Sequence, residues 1–126
     1  MKFVFKTRML LAAALLLVHV TASAHTHLEK SVPADDATVK VAPAYIDLTF
    51  NGPVRLVKFQ VMGVGHEMPT KFEASTETAA EFHIETPGMH PGQFTVNWAV
   101  IGEDGHTVTD SFGFVVDPAA AETASN

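Results

Sequence analysis

A chain of 126 residues that is 47% hydrophobic, 9% aromatic and 17% charged has the composition of one small globular domain, with no room for a second. It contains no cysteine, so disulfides, thiolate zinc sites and iron–sulfur clusters are excluded, and any metal must be held by nitrogen, oxygen or thioether ligands. Charge is unevenly spread: all 14 acidic residues lie at Glu29 or beyond, whereas Lys2, Lys6 and Arg8 crowd the start.

Those three cations precede an unbroken apolar run from Met9 to Val18 and then Ala22-Ser23-Ala24, the pattern of a secretory signal peptide with a small-residue cleavage site. The run is too short for a membrane-spanning helix, which needs about 20 apolar residues, so residues 1–24 are expected to be removed before His25 rather than kept as an anchor. The remaining residues 25–126 carry five Lys or Arg against 14 Asp or Glu, a formal charge of −9. Nucleic acid is not an expected partner of such a surface, because phosphate binding needs clustered cations.

After the cleavage site, apolar residues recur at every second position, the period of a strand with one face on a core and the other in water. A short strand is expected around Leu28 to Val32. Ile46, Leu48 and Phe50 form a second, Val57, Phe59 and Val61 a third, and Met68 to Ala74 a weaker fourth. Phe82 and Ile84, then Phe94, Val96, Trp98 and Val100, then Phe112, Phe114 and Val116 complete seven. Asn51-Gly52-Pro53, Pro87-Gly88, Pro91-Gly92 and Asp104-Gly105 fall between the runs and read as turns. Helical spacing is nowhere sustained. The expected fold is all-β, a seven-stranded Greek-key barrel or sandwich of immunoglobulin-like type over residues 25–117, followed by a disordered tail, 118–126.

Chemistry concentrates in two places. Cleavage before His25 leaves a histidine that offers both an α-amine and an imidazole, a donor pair suited to Cu(II), which prefers tetragonal nitrogen and oxygen ligands. His27, third from the new terminus, offers a rival chelate built from the amine, two backbone amides and its own ring. Farther along, Asp104-Gly105-His106 presents a carboxylate and an imidazole two residues apart, on one face of an extended segment. Asp-Gly between alternating strands is also an ordinary hairpin turn.

Taken with Leu28, Ser31, Pro33-Ala34, Ile46-Asp47-Leu48-Thr49-Phe50, the segment Pro91 to Trp98 and the closing run Phe112 to Val116, these residues resemble the CopC family of periplasmic copper-binding proteins over nearly all of the processed chain. The resemblance implies a seven-stranded Greek-key barrel and one Cu(II) bound by His25 through amine and ring, by Asp104 and by His106. It also implies a periplasmic role in copper homeostasis or resistance, and a CopD-type inner-membrane transporter as a possible partner. Gly102 and Glu103 stand where small residues such as serine and alanine are usual, and Asp110 where glycine is common; Glu103 adds negative charge or an alternative oxygen ligand. Some relatives bind Cu(I) through methionines. Here Met62, His66, Met68, Met89 and His90 are the only counterparts, and their scatter through irregular segments reads as surface and gap-filling residues rather than a Cu(I) site. His83, flanked by Glu81 and Glu85, is expected to be a solvated side chain.

Two other function classes fit parts of the pattern. An N-terminal copper-chelating histidine also occurs in the histidine brace of copper monooxygenases, but one Trp and one Tyr provide no broad substrate face, and Asp104 would fill a position that oxygen chemistry needs open. A metal-free immunoglobulin-like adaptor would need only the strands. The expectation is therefore a copper-binding protein and not an enzyme.

Overall fold

The structure, a computed structural model, describes residues 25–121; the expected signal peptide and the last residues of the expected tail lie outside the described residues. Among the described residues there are seven strands and no helix: β1 (Leu28–Val32), β2 (Ala37–Val39), β3 (Tyr45–Gly63), β4 (His66–Met68), β5 (Ala79–Glu85), β6 (Gly92–Ile101) and β7 (Thr107–Val116). The all-β, seven-stranded expectation holds, although the seven are not the same seven.

The largest difference is β3. Asn51-Gly52-Pro53 does not end a strand: the chain runs on from Tyr45 to Gly63, joining two expected strands into one. Its first half pairs antiparallel with β1 on one edge and β5 on the other. Its second half pairs antiparallel with β4 and β6. The change of partners occurs at Asn51–Pro53, where the β5 register skips from Thr49 to Val54, and Pro53 is tolerated there because it owes the ladder no N–H. A second irregularity lies between Leu56 and Lys58. Buried positions are even-numbered from Ile46 to Leu56 and odd-numbered at Phe59 and Val61, so the extra residue, Val57, resets which face points inward.

Two smaller corrections follow. The strand expected over Met68 to Ala74 stops at Met68. Ala37–Val39, too short to show a period, forms β2, which pairs parallel with the C-terminal half of β7. The order β1-β3-β6-β7-β2 thus mixes distant segments, as in a Greek-key barrel.

The core is the set that alternation selects. Ile46, Leu48, Val61, Val96, Val100, Phe94 and Phe114 are almost entirely inaccessible, each large side chain stabilising the fold by roughly 1.5–3 kcal/mol relative to exposure. Phe50 meets Trp98 edge to face at 5.2 Å, tying the β1–β3 side to the β6 side. β6 and β7 form a hairpin whose turn begins after Ile101, opposite Arg55 of β3. Leu28 pairs with Phe50 on the same strand, so β3 brings the N-terminal arm and the β6–β7 turn to one end of the barrel. After β7, the Asp117 carboxylate and carbonyl accept from the amides of Ala119 and Ala120, forming a turn.

Candidate metal centre

The arm ahead of β1 is held by Asn51. Its side-chain amide donates to the His25 carbonyl at 2.8 Å, its Oδ1 accepts from the His27 amide at 3.0 Å, and its own backbone N–H donates to the His27 carbonyl at 3.1 Å. His27 folds back so that Nδ1 donates to the His25 carbonyl at 2.9 Å. Asn51 reads in the sequence as a turn residue, and nothing in its neighbours signals that it clasps a segment 24 residues upstream. The rival chelate through His27 would require its amide to be deprotonated, and that amide is committed to Asn51.

The second half of the centre is the turn from Gly102 to His106, closed by Gly102 N–H to the His106 carbonyl and Gly105 N–H to the Gly102 carbonyl, both at 3.0 Å. Gly105 takes φ of +80°, a left-handed conformation that suits glycine. Within the turn, Asp104 Oδ1 accepts from the His106 amide at 3.0 Å and Oδ2 accepts from His106 Nδ1 at 2.8 Å. The His106 backbone amide, then its ring, hold the Asp104 carboxyl below the usual aspartate range. Because a carboxylate only accepts, Nδ1 is the donor in this contact, and for both groups to ligate one ion that hydrogen bond must open. Both side chains are exposed.

The two halves meet at Gly102. A Cβ there would lie 2.5 Å from Thr26 Oγ1 and 3.3 Å from Asp104 Oδ1, so only a glycine lets the residue after His25 lie so closely against this turn. The juxtaposition joins backbone segments. Among the described residues, no three His, Asp or Glu side chains converge closely enough to ring an ion by themselves. Beside this end, a groove of about 850 Å³ runs along β1, lined by Thr26, His27, Val32, Val41, Trp98 and Val108. No periodicity in the sequence signals it.

The remaining candidates divide. Met68 is buried and Met89 packs against the core, so these thioethers fill gaps as expected. His66 and His90 are not scattered: the β3–β4 hairpin and the loop before β6 bring their Nε2 atoms to 3.2 Å. Nor is His83 merely solvated, since its ring stacks on Tyr45 at 4.0 Å and its Nδ1 bonds to Asp47 across the β3–β5 ladder.

Comparison with known proteins bears directly on this arrangement. Residues 28–117 match the CopC domain family, a stretch that includes Asp104 and His106 and begins three residues after His25. The chain belongs to the CopC family. It is also 30% identical over 105 residues to Protein YobA of Escherichia coli K12, covering 79% of this chain and 85% of that protein. Solved CopC-family structures share the fold: CopC of Methylosinus trichosporium OB3b at 24% identity and TM-score 0.63, covering 79% of this chain and all of the other. PcoC of Escherichia coli, a methionine-rich copper resistance protein, gives 25% identity and TM-score 0.61, covering 75% of this chain and all of PcoC. Among the described residues Met68 lies in the core, Met89 packs against it and Met62 is half-buried on β3.

Proposed function

We propose that the protein is a periplasmic copper carrier that binds one Cu(II) through the amine and ring of His25 as mature terminus, the His106 ring and the Asp104 carboxylate, and sequesters or delivers the ion without catalytic turnover. The observation that supports this reading is the close approach of Thr26, the residue after His25, to Gly102 in the turn bearing Asp104 and His106. Supporting it, Asp104 Oδ2 and His106 Nδ1 lie 2.8 Å apart, so a carboxylate and an imidazole converge within this turn, and membership of the CopC family makes copper the expected ion. The donor set of amine, imidazoles and carboxylate matches the preference of Cu(II). Export with cleavage before His25 creates the amine, and a CopD-type inner-membrane transporter is the proposed recipient or source of the ion.

Copper titration of the chain beginning at His25, followed by its visible and paramagnetic spectra, tests this. One equivalent is expected to bind. His106→Ala, or an extra residue ahead of His25, is expected to weaken binding by roughly tenfold or more and to change the spectra, as loss of a ligand costs at least what loss of a supporting group does. Unchanged affinity and spectra in both would overturn the assignment.

A further inference from the structure

At the opposite end of the second half of β3, eight residues and about 25 Å of strand from Arg55, the chain carries a second cluster of nitrogen donors. His66 opens β4 and His90 lies in the loop before β6; their Nε2 atoms are 3.2 Å apart and their rings 5.4 Å between centroids. Each ring is pinned through its other nitrogen. His66 Nδ1 donates to the Val64 carbonyl at 3.0 Å, and His90 Nδ1 donates to the Pro91 carbonyl at 2.8 Å. A carbonyl only accepts, so Nδ1 is the donor in each ring and the two Nε2 atoms turn toward each other. Two acceptors at 3.2 Å repel unless something positive lies between them.

We infer that His66 and His90 form a binding site for a four-coordinate divalent cation of the borderline class, such as Zn(II). With metal–nitrogen bonds of about 2.0–2.1 Å, two ligands on one ion stand about 2.9 Å apart at a right angle and about 3.3 Å apart at the tetrahedral angle. The separation of 3.2 Å falls inside that interval. A linear two-coordinate ion would need about 4.1 Å from the same bond lengths, so the bite does not suit that geometry. The seat is built for the rings: a Cβ on Gly63 would come within 3.0 Å of His66 Cε1 and 3.1 Å of Nε2, and His90 packs at 5.4 Å from Phe94. Both histidines are exposed, which leaves the remaining coordination positions to water.

Zn(II) titration of the ¹⁵N-labelled chain, read from the histidine side-chain nitrogens, tests the site. Expected is a joint shift of the His66 and His90 Nε2 resonances that saturates at one equivalent. In H90Q the His66 response weakens roughly tenfold or more, the scale on which metal sites lose affinity when their supporting groups are removed. G63A, which displaces the His66 ring without deleting a donor, weakens it by a smaller factor. H106A leaves it unchanged, separating this site from the proposed copper centre, whose own failure would appear at His106 and not here. Backbone spectra of H90Q and G63A report whether the fold is kept. If Zn(II) leaves both Nε2 resonances unmoved, or moves His66 equally in H90Q, the pair holds only a shared proton and the inference is wrong.

Discussion

Removing the Asn51 side chain separates the preorganisation of the arm from the stability of the barrel. Asn51→Ala deletes two hydrogen bonds, to the His25 carbonyl and from the His27 amide, and retains the backbone bond from Asn51 N–H to the His27 carbonyl. Each bond is exposed and contributes about 0.5–1 kcal/mol, the lower part of the usual net range, so together they favour the docked arm by about 1–2 kcal/mol. If copper must find His25 beside the 102–106 turn, that ordering cost moves into the binding equilibrium. At about 1.4 kcal/mol per factor of ten, Cu(II) affinity falls roughly 5- to 30-fold. The barrel itself is little affected, because the arm frays ahead of β1 while the core of β3, β6 and β7 stays packed; the metal-free Tm is expected to drop by less than about 5 °C. Asn51→Asp keeps the acceptor for the His27 amide and loses the donor, and is expected to fall between wild type and Asn51→Ala. Competition against a chelator of known affinity measures the copper effect, and amide exchange at His27, expected to accelerate in Asn51→Ala, measures the arm directly. Binding within about twofold of wild type, with His27 exchange accelerated, would refute the link between the clasp and the metal.

Three further outcomes are expected. Gly102→Ala forces Thr26 away from the turn and weakens Cu(II) binding several-fold, while the double variant with Thr26→Ala, which removes the oxygen that a new Cβ would meet at 2.5 Å, recovers most of it in the same competition assay. Trp98→Ala removes a buried side chain in edge-to-face contact with Phe50 and is expected to cost about 3–5 kcal/mol in urea denaturation; a loss below about 1 kcal/mol would contradict the core described. A ¹³C titration of the metal-free protein should put the Asp104 midpoint below the ordinary aspartate range. Because the His106 backbone amide is the larger cause, His106→Ala should raise that midpoint only part of the way. The sign follows from the lowered value: any stabilisation by this carboxylate is present above its unfolded midpoint and is lost as pH falls through the lower folded one. Acid release of copper should therefore follow protonation of the nitrogen donors while Asp104 is still ionised, and release tracking the Asp104 titration instead would contradict the donor assignment.

What could be read in advance was set by the range over which each signal acts. Alternation is local, and it correctly selected Ile46, Leu48, Phe94, Val96, Trp98 and Phe114 as core. It misplaced Val57 because a bulge resets the phase without a signal in composition: Leu56, Phe59 and Val61 are inward, and Val57, between the two phases, is itself apolar. Turn chemistry is local as well, and it misled at Asn51-Gly52-Pro53. The same residues that end strands elsewhere here mark where one long strand exchanges partners, and only the distant segments β1, β5 and β6 decide which of the two occurs.

The candidate centre shows the same division between local chemistry and long-range placement. Asp104-Gly105-His106 was legible because its chemistry is complete within a turn; the clasp by Asn51 and the fit of Thr26 on Gly102 were not, since each depends on partners 24 and 76 residues away. The His66–His90 pair has the same character, two unremarkable surface residues in sequence that become a matched pair of donors only when two loops meet. β3 connects all of these observations. Its kink receives the arm, its midpoint faces the β6–β7 turn, and its end carries the hairpin that presents His66. A single continuous strand therefore separates the ends that carry the two donor clusters by about 25 Å of strand, so neither cluster can borrow a ligand from the other. On this reading a metal bound at one end should leave the histidine resonances at the other unshifted until its own site fills.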